Sequence, residues 1–185
     1  MNYEFTGGYK IRDQFGLFFM TFTVVDWIDL FSRQLYRDIL VKNMKYCRLD
    51  KNLSIGAYVI MTNHMHVIWH SKSGKLSDTI RDYKSFCTKE IVKAIQKEKE
   101  SRKDWLLQSF EYHAGSTNQN KDYKIWTSDN HPEQIFGEDF MRTKLDYIHD
   151  NPVRAAWVEK PEDYLYSSAS NYVMDKGIME IDYLF

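Results

Sequence analysis

The sequence predicts an α+β fold of the ferredoxin-like type, a β-α-β-β-α-β sandwich in which an antiparallel sheet carries two helices on one face. Two observations predict it. Segments with strand and helix periodicity follow one another in that order, and a third helix and a tail come after them. The chain has 185 residues, of which 43% are apolar and 16% aromatic, which is enough for one hydrophobic core.

The first half of the chain supplies three strands and one helix. Residues 17–25 are aromatic and β-branched on both faces, which predicts a central strand. Residues 29–48 carry apolar side chains at intervals of three and four, which predicts a helix with one buried face. Residues 53–61 alternate as a second strand, 62–63 make a tight turn, and 64–70 run back as the third strand, so these segments form a hairpin.

The second half supplies the remaining elements. Residues 76–95 carry apolar side chains at helical intervals, which predicts a long helix. Residues 115–120 have the composition of a loop, and residues 123–127 are predicted to form the fourth strand. A third helix is predicted over 137–150, ending at Asn151 because the residue before a proline disfavours helical geometry. We predict one domain over residues 1–155 and a C-terminal extension over 156–185 that packs on or near it.

Composition excludes several classes of protein. No apolar run approaches the ~20 residues that span a bilayer, and no signal peptide is recognisable, so we expect no membrane partner and a cytoplasmic location. Cys47 and Cys87, at apolar helix positions, predict core thiols in a reducing compartment. No Cys-x-x-Cys pair is present, which excludes the usual zinc-finger spacings.

Charge is unevenly distributed although the net charge is −1. Residues 72–103 contain ten Lys or Arg against five Asp or Glu, whereas the tail over 159–185 is acidic. A basic segment of this kind fits either a phosphate-binding surface or an ordinary solvated helix face, and the sequence leaves both open.

Two histidines stand out in the predicted third strand. His64 and His66 flank Met65, and side chains two apart on a strand lie on the same face, roughly 6.5–7 Å apart along the chain. Imidazoles so placed can bind one divalent metal ion. The spacing is equally compatible with two ordinary half-buried histidines.

The third predicted helix offers a second set of polar groups. Tyr147 and Asn151 are four residues apart and share one face, with Lys144 on nearly the same side. A phenol with its pKa near 10 is a poor nucleophile unless a metal ion polarises the phosphate that it attacks. Asn151 could supply a third oxygen ligand and Lys144 could stabilise negative charge. The plain alternatives are a packing tyrosine and a helix-terminating asparagine.

Three runs of sequence resemble one family. Residues 58–68, YVIMTNHMHVI, resemble the YVIMPNHxHxI signature of single-tyrosine HUH transposases. Residues 145–155, LDYIHDNPVRA, resemble the YIxxNPVRAG run of their REP-associated tyrosine transposase subgroup, and residues 164–169, YLYSSA, resemble the Tyr-x-(Trp/Tyr)-Ser-Ser-Ala that follows there. Two positions depart from the pattern: Thr62 replaces a proline, and Ala156-Trp157 replaces a glycine.

The resemblance implies a nuclease domain that cuts single-stranded DNA near hairpins through a 5′-phosphotyrosine. His64 and His66 match the metal ligands, Asn151 the third ligand, and Tyr147 the nucleophile, with Mg²⁺ or Mn²⁺ as the metal. Other cations are candidate DNA contacts: Lys10, Arg12, Lys84 and Arg154.

Some alternatives stay open at this stage. A domesticated, catalytically inactive relative that binds DNA hairpins would keep the same fold, and the sequence does not decide between a monomer and a homodimer. A histidine-triad hydrolase is disfavoured because Ile68 stands where its third histidine would be. No basic-aromatic strand typical of an RNA-recognition module is evident.

Overall fold

The computed structural model describes residues 10–115 and 122–185. Its sheet contains β1 (Phe18–Thr23), β2 (Leu53–Ile60), β3 (His64–Ser71) and β4 (Glu133–Gln134), in the spatial order β2-β3-β1-β4. Neighbouring strands are antiparallel, and β1 and β3 are central. The described helices are α1 (Gln34–Asp50), α2 (Leu76–Lys97), α3 (Lys103–Gly115), α4 (Glu138–Arg154) and α5 (Ala169–Met174). The predicted fold class is confirmed.

The two faces of the sheet are covered differently. Met65, Val67 and Trp69 point toward α1 and α2, where the Tyr83 ring lies 5.1 Å from that of Trp69. His66 and Ile68 point the other way because strand side chains alternate. That second face is covered by α4, which corresponds to the third helix of the prediction.

Several predicted boundaries were wrong. The first helix begins at Gln34 rather than at residue 29, because two 3₁₀ turns, Val25–Trp27 and Leu30–Ser32, come first. Helix α4 continues past residue 150 to Arg154 with Pro152 inside it. Pro152 has no N–H to donate to the carbonyl four residues earlier, so the helix loses a hydrogen bond there, and burial of Pro152 in the packed structure offsets that loss.

The fourth strand was also misplaced. Within 123–127 only an isolated bridge between Val24 and Trp126 forms, and β4 lies further on, opposite Phe18 and Phe19. Helix α3 was not predicted, although its buried Leu106, Phe110 and Ala114 recur every four residues in a polar stretch. Most of the predicted loop at 115–120 lies outside the described residues.

The chain after α4 follows the outer edge of β2. The Ile60 N–H donates to the Tyr166 carbonyl at 2.9 Å, and the Ser168 N–H donates to the Tyr58 carbonyl at 2.9 Å. Near the C-terminus the Asp182 carboxylate accepts the Ile55 N–H and pairs with Arg48. The tail therefore satisfies backbone groups that an edge strand would otherwise expose. Among the described helices, none has the length and apolarity to cross a membrane.

Candidate active site

The sheet face beneath α4 brings the two histidines and the tyrosine together. The ring centroids of His64 and His66 are 4.8 Å apart, and the Tyr147 ring lies 5.1 Å from that of His66. Phe19 of β1 contacts both His66, at 5.5 Å, and Tyr147, at 5.8 Å. Tyr147 is 38% exposed, so its phenol is accessible to a substrate. Side-chain alternation in β3 and the position of Tyr147 on α4 thus bring these residues together on one face of the sheet.

A threonine on the neighbouring strand forms a hydrogen bond with one ring nitrogen of His66. Thr21 lies directly opposite His66 in the β1–β3 register, and its Oγ1 is 2.8 Å from His66 Nδ1. The His66 Nε2 atom is buried and has no hydrogen-bond partner among the described residues. A proton on Nε2 would be a buried donor without an acceptor, so the favoured tautomer donates from Nδ1 to Thr21. The unpaired Nε2 lone pair is then free to bind a metal ion.

An asparagine determines which ring nitrogen of His64 carries the proton. Asn63 Nδ2 donates to the Trp27 carbonyl at 3.3 Å, which directs its Oδ1 toward His64 Nδ1 at 2.6 Å. An amide oxygen only accepts hydrogen bonds, so His64 carries its proton on Nδ1. Both histidines therefore present Nε2 as the candidate ligand atom, with an oxygen behind each ring, as metal-binding histidines usually have.

The electrostatics keep both imidazoles neutral. Burial lowers the pKa of His66 to about 3, with smaller contributions from the charges of His64, Arg154 and Lys144. Burial also lowers the pKa of His64. Metal ions bind the neutral imidazole, so the pair is in the binding form at pH 7 without having to lose a proton. These two residues fit a divalent metal ion.

The third ligand is less clearly placed. Asn151 Nδ2 donates to the Tyr147 carbonyl at 2.9 Å, a contact inside α4. Within residues 10–115 and 122–185 there is no group of three His, Cys, Asp or Glu that could bind a metal ion. A third ligand would therefore have to come from another kind of group, such as an amide oxygen, and the assignment of Asn151 stays a prediction.

One cation contacts Tyr147, and a second lies beside the neighbouring Phe19. The Arg154 guanidinium lies 4.4 Å from the centre of the Tyr147 ring. Lys144 lies 4.4 Å from the Phe19 ring, but its ammonium is paired with Glu133 at 2.7 Å. Arg154 is exposed whereas the Lys144 side chain is only 17% exposed, so Arg154 is the more accessible positive charge beside the tyrosine.

The remaining candidate cations lie apart from this cluster. Lys10 and Arg12 are exposed in the irregular segment before β1. Lys84 donates to the Thr127 carbonyl at 2.8 Å and to Asn130 Oδ1 at 2.7 Å, so it ties α2 to the segment that follows α3. It lines a cavity of about 650 Å³ between α2 and residues 122–130, which contains none of the cluster residues.

Comparisons with known proteins point to one group. The chain is 26% identical over 150 residues to the REP-associated tyrosine transposase of Escherichia coli K12, a match that covers 81% of this chain and 72% of that protein. A solved structure of a REP-associated tyrosine transposase bound to a REP hairpin superimposes with a TM-score of 0.61 at 22% identity, covering 97% of this chain and 92% of that one. No protein-family model matches. The resemblance seen in the motifs is thus confirmed in sequence and in fold.

Proposed function

We propose that this protein is a metal-dependent single-stranded DNA endonuclease and strand transferase of the REP-associated tyrosine transposase type. Its substrate would be single-stranded DNA beside a hairpin, and Tyr147 would form a 5′-phosphotyrosine. The observation that carries the proposal is the Tyr147 ring 5.1 Å from the neutral, buried His66 on the α4 face of the sheet. The similarity to a transposase that was solved with a REP hairpin supports the substrate class.

Each step uses a group of this cluster. Mg²⁺ or Mn²⁺ held by His64 and His66, with Asn151 as proposed third ligand, would polarise the scissile phosphate. Tyr147 Oη would form a bond to phosphorus as the P–O3′ bond breaks, and the proton lost by the phenol to solvent would be balanced by one that the leaving 3′ oxygen takes up to become a hydroxyl. Rejoining is the reverse reaction, in which a 3′-hydroxyl attacks the phosphotyrosine, so no external energy source is needed.

Competing tyrosines are less suitable nucleophiles. Tyr164 Oη donates to the Ile60 carbonyl at 2.7 Å, and Tyr166 Oη donates to Asp38 at 2.6 Å. Both side chains are buried, and burial raises the pKa of Tyr166 to about 12. Among the described residues, Tyr147 combines a ring contact to His66 with exposure to solvent.

A denaturing gel tests the proposal. The protein is incubated with Mn²⁺ and labelled single-stranded hairpins taken from the DNA that flanks its gene. We expect a covalent protein–DNA band that disappears with a chelator and with Tyr147→Phe. Tyr46→Phe is the matched control, because Tyr46 is 52% exposed on α1, on the opposite side of the sheet.

One observation favours a second function, a catalytically inactive protein that binds DNA hairpins. Asn151 uses its Nδ2 within α4, and among the described residues no His, Cys, Asp or Glu completes a group of three with His64 and His66, so the proposed metal site rests on two histidines. Hairpin binding by the wild-type protein without a covalent band at any Mn²⁺ concentration would support that function and exclude the transposase.

A further inference from the structure

The turn that follows β1 has a backbone conformation that its residues disfavour. Asp26 has a φ of 52° and Trp27 a φ of 54°. Asp tolerates this left-handed region because its side chain is short and polar, but a bulky residue such as tryptophan seldom adopts it. Such strained positions persist only where neighbouring structure enforces them, and they concentrate at functional sites.

The surrounding contacts do enforce this turn. The Val24 N–H donates to the Asn63 carbonyl at 2.9 Å, and the Val25 N–H donates to the Ile125 carbonyl at 2.8 Å. The Asp26 carboxylate lies 2.7 Å from His113 Nε2 on α3. With the Trp27 carbonyl accepting from Asn63 Nδ2, the backbone of the turn is held on both sides, which sets the position of Trp27 after the end of β1.

That position is beside the histidine pair and open to solvent. The Trp27 ring centroid is 6.2 Å from that of His64, yet the residue is 68% exposed. Exposure alone would not distinguish it, because Trp105 and Trp157 are also exposed. Trp27 combines exposure with a contact to a candidate metal ligand. A tryptophan that only shielded His64 from water would bury more of its own surface.

We propose that Trp27 is a stacking platform for one unpaired DNA base next to the scissile phosphate, which rests on the proposed function above. A single-stranded substrate has free base faces, and a fixed indole binds any base by stacking at little entropic cost. The stack would hold the neighbouring phosphate over His64 and His66. Trp27 is thus assigned to substrate positioning and takes no part in the bond changes.

Binding measurements without cleavage test the platform. Fluorescence anisotropy follows a labelled hairpin with unpaired tails, taken from the DNA that flanks the gene, in the presence of EDTA. Trp27→Ala should weaken binding about 5- to 150-fold, the range of one base–aromatic stack. Trp27→Phe should lose less binding affinity. Trp105→Ala, which removes the exposed tryptophan of α3, should bind as the wild type does.

A base-deletion series makes the test specific. Oligonucleotides with one abasic site at each unpaired position should reveal a position where removing the base weakens wild-type binding. We expect that loss to vanish in Trp27→Ala, because the two deletions remove the same contact. A loss that persists in Trp27→Ala would overturn the platform. A lower Mn²⁺ affinity of Trp27→Ala without this coupling would also overturn the platform, since the only role of Trp27 would then be to support His64.

The two proposals fail separately. A covalent band that depends on Tyr147, together with no coupling between Trp27 and any base, would overturn the platform and leave the enzyme intact. Coupling without any covalent band would overturn the enzyme and leave Trp27 as a base-binding residue of a hairpin-binding protein.

Discussion

At the scale of single residues, the candidate metal site depends on the oxygens behind the histidines. In the favoured tautomer His66 Nδ1 donates to Thr21 Oγ1, which leaves Nε2 as the candidate ligand atom. Removing a group of this kind typically reduces metal affinity about 10- to 100-fold. We therefore expect Thr21→Val to lower Mn²⁺ affinity by that factor, as measured by titration calorimetry, with the fold intact.

A matched threonine provides the control. The Thr88 hydroxyl donates to the Lys84 carbonyl within α2, far along the chain from the histidines and on the other face of the sheet. Thr88→Val should leave Mn²⁺ affinity unchanged. Equal affinities for Thr21→Val and Thr88→Val would mean that His66 does not bind the metal through Nε2.

Arg154 supports a second prediction at this scale. Its guanidinium 4.4 Å from the Tyr147 ring is a cation–π contact, worth roughly 0.5–1 kcal/mol at an exposed site. We expect this interaction to strengthen by a similar amount as negative charge develops on the tyrosine and the phosphate during attack, so Arg154→Ala should slow covalent adduct formation about two- to fivefold in single turnover at saturating DNA. Arg142→Ala, on the same helix but stacked on Phe185, should keep the wild-type rate. Equal slowing by both variants would exclude a specific role for Arg154.

Sequence alone located some of these residues and missed others for a definable reason. His64, His66 and Tyr147 came from intervals within one strand or one helix, which periodicity determines, together with the resemblance to the transposase motifs. Thr21 and Trp27 were missed because one depends on the register between β1 and β3 and the other on a positive φ. Neither is encoded in the spacing of nearby residues.

At the scale of elements, one carboxylate joins three helices. Glu100 lies between α2 and α3, and its carboxylate accepts from Arg33 and Tyr36, each at 2.8 Å, at the start of α1. Burial alone would raise the pKa of Glu100, but hydrogen bonds from Arg33, the Arg102 N–H and Tyr36 lower it to about 2. The ionised carboxylate therefore stabilises the packing of these helices.

The sign of the pH effect follows from that lowered pKa. Stability from Glu100 is present above its unfolded pKa near 4.5 and is lost as pH falls toward 2. At neutral pH, Glu100→Gln should reduce the free energy of unfolding by roughly 2–3 kcal/mol. Urea denaturation measures this, and the variant should lose less stability than the wild type as pH falls from about 4.5 to about 2, the range between the unfolded and folded pKa values of Glu100.

Glu98→Gln is the control for that experiment, since Glu98 is two residues away and exposed. Its stability should stay within about 0.5 kcal/mol of the wild type. A similar loss in both variants would mean that net charge rather than the buried carboxylate matters.

The same scale shows where fold prediction stops. Strands β1, β2 and β3 and helices α1 and α2 carry long periodic patterns, so their existence was predictable. Strand β4 has two residues, too few for any alternation, and it forms only because Phe18 and Phe19 offer an edge. Pro152 was taken as a stop signal although tertiary packing holds α4 through it, with Pro152 itself buried.

At the scale of the whole molecule, the sheet separates the basic segment from the candidate active site. Helix α2 packs on the face of Trp69, whereas Tyr147 lies on the face of His66. Several cations of 72–103 also have partners in the protein. Lys72 pairs with Asp182, Arg81 with Asp78, and Arg102 with Asp29. The solvated helix face therefore explains most of this segment better than a phosphate-binding surface does.

Salt dependence of hairpin binding distinguishes these two surfaces. Each phosphate contact with single-stranded DNA contributes a slope of about −0.7 to a plot of log K against log salt concentration. Arg154 is exposed beside Tyr147, where the scissile phosphate would lie, so Arg154→Gln should reduce the magnitude of the slope by roughly 0.7 to 1. Lys89→Gln, at an exposed position of α2, should leave it unchanged. The opposite result would move the DNA path to the α2 face, where it could reach Tyr147 only around the edge of the sheet.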